Sequence, residues 1–112
     1  MANEIVNWPN GKGGTYPFHV FQIALFHGNP KGNYIFARKV NNGWEAVYIG
    51  EGDINERIKD HVNNKPLIVK GATHIHIMEV NDKETSFQIE TELLEGNTEA
   101  YEPTGCNVKK GG

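Results

Sequence analysis

Hydrophobic positions recur along this chain with two different periods. Residues 16–26 are dense in aromatic and branched side chains, which predicts a strand, and Gly28-Asn29-Pro30-Lys31-Gly32 breaks the run. Alternation of period two returns over residues 34–40 and 44–49 and predicts two paired strands. It sets Tyr34, Phe36 and Arg38 on one face of the first, and Trp44, Ala46 and Tyr48 on one face of the second. Between them lies Asn41-Asn42-Gly43, and Asn-Gly tolerates the positive φ that a tight hairpin uses. A helical period then takes over. Ile54, Ile58 and Val62 form one stripe, opened by Asp53 with Glu56 three residues on and ended by Asn63-Asn64-Lys65-Pro66. Arg57 and His61 flank that stripe and are expected half-buried beside the sheet. Residues 73–80 alternate again, with Ile75 and Ile77 on one face and His74 and His76 on the other. A second helix is predicted over residues 83–95, with Asn81 and Glu84 as its capping signal and Gly96 as its stop. Residues 1–15, rich in Asn and Gly, read as a flexible lead-in, and residues 97–112 as an irregular tail.

These elements make an α+β protein with a small antiparallel sheet flanked by helices, and 112 residues make one domain with room for a core. The single cysteine, Cys106, rules out an intrachain disulfide and suits a reducing compartment. The opening residues lack the basic and apolar regions of a signal peptide, and the apolar runs are too short for a membrane span, so a cytoplasmic protein without membrane contact is expected. Net charge is −3, and a negative balance does not advertise a nucleic-acid binder.

Candidate chemistry is sparse. Gly11-Lys12-Gly13-Gly14 lacks the spacing and terminal hydroxyl of a phosphate loop. His74 and His76 point the same way but have no further ligands at zinc spacing, so they read as histidines on the less buried face of an edge strand or lining a groove. No nucleophilic triad suggests itself. Glu90 is different. On a helical wheel it falls within the face made by Phe87, Leu93 and Leu94, whereas Glu84, Glu92 and Glu95 read as solvated. A carboxylate aimed at a core needs a partner. It is either a buried ion pair, for example with Arg57, or a metal ligand, and the pattern does not choose between them.

Taken in order, these residues resemble the GIY-YIG nuclease family. Gly32-Asn33-Tyr34 matches the first element, with Asn33 in the middle position in place of Ile, and Tyr48-Ile49-Gly50 matches the second unchanged. Arg57 and His61 match the Arg and His of the first helix, Glu90 with Leu93-Leu94 the acidic element of a later helix, and Asn107, after Pro103, the closing asparagine. The match spans residues 32–107 and leaves 1–31 as an N-terminal extension carrying a strand. Gln88 or Phe87 stands where many members carry a basic residue. The resemblance implies three central antiparallel strands flanked by helices, and metal-dependent hydrolysis of phosphodiesters. Glu90 would hold Mg²⁺ or Mn²⁺, Tyr34 or Tyr48 would take a proton from water, and Arg57 would stabilise the transition state. His61 would orient a tyrosine or share proton transfer, and Asn107 would position tyrosine or phosphate. Arg38, Arg57 and Lys59 would contact nucleic acid, DNA rather than RNA, with a protein partner or a homo-oligomer supplying further contacts. The alternative is an inactive module of that fold that binds nucleic acid or a protein.

Overall fold

The computed structural model describes residues 4–23, 26, 28, 30–62 and 70–108, with the side chains of 60–62 excepted. The chain runs β1 (Ile5–Pro9), β2 (Thr15–Gln22), β3 (Lys31–Val40), β4 (Gly43–Asp53), α1 (Ile54–Val62), β5 (His74–Glu79), α2 (Lys83–Gly96) and a 3₁₀ turn, Thr98–Ala100. The architecture is α+β. The strands form one five-stranded antiparallel sheet in the order β1-β2-β5-β3-β4. Alternation along β3 divides the core between the two faces. Ile35 and Ala37 pack with Ile89 and Leu93 of α2 on one face. Tyr34 and Phe36 pack with Ile54 and Ile58 of α1 on the other.

The N-terminal region departs from expectation. It contributes two strands rather than one, and the supposed lead-in is one of them. Ile5–Pro9 pairs with β2, and Trp8 is buried in the core. The Gly11-Gly14 segment is a hairpin loop organised by Asn10, whose Oδ1 accepts from the N–H of Lys12 at 2.8 Å and of Gly14 at 3.0 Å. The two extra strands also move β5 from the edge to the middle of the sheet. His76 is therefore fully buried, with Nδ1 accepting Trp8 Nε1–H at 3.0 Å. Burial pushes its pKa down to about 3, helped by the charges of His74 and Lys39.

The β3–β4 hairpin closes where expected, but neither asparagine of Asn41-Asn42 has positive φ. Its register shifts between Phe36 and Ala37, so that Phe36 faces Tyr48 while Ala37 faces Ala46, and Val47 has no opposite number. This β-bulge overturns the expected common face of Trp44, Ala46 and Tyr48. One inserted residue reverses the alternation, so Ala46 packs on the α2 side and Val47 and Tyr48 on the α1 side, with Tyr34.

β4 passes straight into α1, where Asp53 Oδ1 accepts Glu56 N–H at 3.3 Å. The expected stop of that helix, residues 63–66, lies outside the described residues. α2 is capped by Asp82, not by Asn81: the Asp82 carboxylate accepts Thr85 N–H at 3.1 Å.

Candidate active site

Tyr34 is fixed by the glycine opposite it. A Cβ at Gly50 would lie 2.4 Å from the Tyr34 hydroxyl oxygen, so the phenol crosses β4 where a glycine leaves room. There its ring stacks on Tyr48, with centroids 6.2 Å apart and planes inclined at 27°. The bulge is what brings Tyr48 round to this face.

The two phenols are not equivalent. Tyr34 is 1% exposed, sealed in the core rather than open to a groove as a water-contacting tyrosine would be. Burial holds its hydroxyl far above the ordinary phenol range. Tyr48 is partly exposed, and its pKa is raised by burial first and by the charge of Glu90 second. Arg57 opposes both shifts, and a hydrogen bond from Tyr34 favours the Tyr48 phenolate. The charges of Glu90 and Arg57, from α2 and α1, thus both reach the tyrosine pair.

Arg57 itself is exposed, not half-buried. It stands over Gly52, whose added Cβ would lie 3.9 Å from the Arg57 Nε. His61 follows one helical turn later in α1, and its side chain lies outside the described residues. Glu90 sits at the half-buried margin of α2 rather than within its buried face. That face is Ser86, Ile89, Glu92 and Leu93, while Phe87 turns outward.

Asn107 is buried at the outer edge of β4. Its Oδ1 accepts Ile49 N–H at 2.9 Å and its Nδ2 donates to Ile49 C=O at 3.0 Å. Cys106 N–H donates to Val47 C=O at 2.7 Å. The tail thus continues the ladder along β4 at the bulge and clasps the residue after Tyr48, so Asn107 braces the tyrosine strand through its amide.

Tyr48, Glu90 and Asn107 line one groove of about 520 Å³, together with Leu94, Tyr101 and Val108 among others. Arg38, Arg57 and Lys59 are not among its described lining residues. Arg38 is held by Glu45 at 2.8 Å and donates to Lys70 C=O at 2.9 Å, four residues along β3 from Tyr34. Lys59 is exposed on α1.

Several contributors escaped the pattern of the sequence. Glu92, expected to be solvated, is buried and accepts from Tyr16 Oη at 2.8 Å and Gln88 Nε2 at 3.1 Å, which tethers α2 to β2. Those neutral donors, Tyr16 foremost, hold its carboxyl below the usual range. Asn33 is wholly buried and donates to Ser86 C=O at 2.9 Å, pinning the start of α2 to β3. Glu51, beside the tyrosine pair, accepts Ser86 Oγ–H at 3.2 Å and lies 3.5 Å from Lys83 Nζ. Only the adjacency of Glu51 to Tyr48-Ile49-Gly50 was visible in the sequence.

Among the described residues no group of three or more His, Cys, Asp or Glu side chains converges as a metal cage. Glu90 and Glu95 both line the open groove, and Mg²⁺ keeps most of its waters and binds through one or two carboxylates and substrate phosphate. Among the described residues, no helix is long and apolar enough to cross a membrane. Comparison of the chain with protein-family models, curated proteins and solved structures gives no match.

Proposed function

We propose that this protein is a divalent-metal-dependent endonuclease of the GIY-YIG kind, hydrolysing phosphodiester bonds of nucleic acid, with DNA the expected substrate. The observation that carries the reading is the stacked pair Tyr34–Tyr48 with Glu90 on the same groove as Tyr48 and Arg57 beside Gly52 of the same strand, so that both charges act on the phenols. Glu90 lines the same groove as Tyr48, which sets a carboxylate beside the phenol that solvent reaches.

Each side chain has a task in that reaction. Tyr48 is the phenol that water can reach, and its oxygen receives the proton of the attacking water. Tyr34 acts one step removed, donating to Tyr48 and so favouring its phenolate. Arg57 places a planar guanidinium where negative charge grows on the phosphoryl oxygens, and exposure leaves it open to a substrate. His61, one turn further along α1, would share proton transfer. Asn107 keeps Tyr48 in register through Ile49. A Mg²⁺ or Mn²⁺ ion on Glu90 would offset the negative charge that, after burial, raises the Tyr48 pKa, and would polarise a phosphate oxygen.

The acidic balance of the chain favours a second reading, an inactive module of that fold that binds a protein. Incubation with branched, single-stranded and duplex DNA and with RNA, in Mg²⁺ or Mn²⁺, separates the two. Cleavage is expected, and Glu90→Gln should abolish it while leaving the fold intact. Arg57→Ala should lower turnover by about 10²–10³ with a smaller effect on binding. No cleavage of any of these substrates would leave the binding module as the better account.

A further inference from the structure

The groove beside Tyr48 has a composition that phosphate binding does not explain. Among its described lining residues none is lysine or arginine, and two, Glu90 and Glu95, are acids. A duplex is gripped mainly through phosphates neutralised by cations. Among its described residues this wall supplies no cation for them.

What the groove offers is apolar surface. Phe87 is 56% exposed and Val108 69% exposed, and both lie on this one groove, with Leu94 and Tyr101. The helix explains how Phe87 comes to be there. Ser86, Ile89 and Leu93 face the sheet, so the residue after Ser86 projects sideways past Glu90 into the groove. Folding gains little from an exposed phenylalanine at that position. An aromatic face beside a carboxylate that addresses phosphodiesters suits a base, since every nucleobase presents a π-face whatever its identity. Glu95 adds an acceptor for the amino edge of adenine, guanine or cytosine.

We infer that the groove takes an unstacked base from a single-stranded segment, stacked on Phe87, next to the bond that the Tyr48–Glu90 cluster addresses. The inference rests on the nuclease reading and narrows its substrate class: the site works on single-stranded, frayed or flapped nucleic acid, and an intact duplex is a poor substrate.

The test uses the full chain with oligonucleotides of one sequence, single-stranded or duplex, carrying 2-aminopurine. Binding is read in CaCl₂ and cleavage separately in MgCl₂. The single strand should bind at least roughly tenfold tighter than the duplex and change the 2-aminopurine emission on stacking. Phe87→Ala should lower single-strand affinity by roughly tenfold with an unchanged melting temperature, because the side chain is exposed, and Phe87→Trp should restore it. Equal binding of single strand and duplex, or a Phe87→Ala variant that binds single strands as the parent does, overturns the inference. So does a dimer that Phe87→Ala dissociates, since the groove would then be a protein contact. The two readings fail separately. Duplex cleavage that needs Glu90 but is indifferent to Phe87 removes the base groove and keeps the nuclease. Single strands held through Phe87 but never cut remove the nuclease and keep the groove.

Discussion

Two tyrosines of similar chemistry are made different by burial. Tyr34 is closed in and stacks on Tyr48, whereas Tyr48 meets the groove. Tyr48→Phe should therefore remove most turnover, and Tyr34→Phe should lower it less. Because burial and Glu90 raise the Tyr48 pKa, activity that needs its phenolate should rise with pH through the alkaline range. That limb should vanish in Tyr48→Phe; a pH–rate profile unaltered by the substitution would assign the proton to another group. His76 supports a prediction about stability instead. In the folded chain it stays neutral down to about 3, whereas unfolded it takes a proton near 6.5. The unfolded state therefore binds the extra proton between those values, so stability is full above about 6.5 and declines as pH falls towards 3. The decline from this one group is at most about 1.4 kcal/mol per pH unit. His76→Gln keeps an acceptor for Trp8 and cannot titrate. Urea denaturation at pH 7, 6, 5 and 4 should show a shallower acid loss in that variant than in the parent.

At the scale of elements, the site is a product of irregularity. The bulge at Val47 carries Tyr48 to the face of Tyr34, and the tail is bonded to the bulged strand at Val47 and Ile49. An edge strand with open backbone groups invites pairing with another chain, and here Cys106 and Asn107 take up part of that edge. Asn107→Ala removes two hydrogen bonds and leaves the Ile49 N–H and C=O in search of partners. It should cost about 1–3 kcal/mol of stability, read by urea denaturation. It should also lower turnover more than substrate affinity, because Tyr48 loses its register. A variant as stable and as active as the parent would show that the tail is only a covering.

For the whole molecule, charge limits affinity. The chain has 11 Lys and Arg against 14 Asp and Glu, and Arg38 is already committed to Glu45 and Lys70. A footprint of about two to four phosphates gives a log–log salt slope of roughly −2 to −4. Binding on the order of micromolar or weaker at physiological salt follows, within the range of non-specific contacts. Fluorescence anisotropy across a salt series would measure both. Nanomolar affinity with a steep slope would mean that cations outside the present count are recruited.

Local order was largely legible in the sequence, because it depends on neighbours a few residues apart. The alternation over Tyr34–Val40 and Trp44–Ile49, the stripe Ile54-Ile58-Val62 and the stop at Gly96 are local patterns, and helices or strands lie where they predict them. They define an α+β chain whose candidate chemistry lies along β3, β4, α1 and α2. Tertiary structure decided what those patterns cannot encode. Trp8 lies 68 residues from His76, and their hydrogen bond ties into the core the tryptophan of an edge strand whose composition reads as loop. Glu92 and Tyr16 are 76 residues apart, and their contact buries an acid that a helical wheel leaves in water. One unpaired residue at Val47 reverses every face that strict alternation assigns beyond it. A period describes one element alone; which neighbour covers each face, and where a strand gains a residue on its partner, is set by packing between segments far apart in the chain.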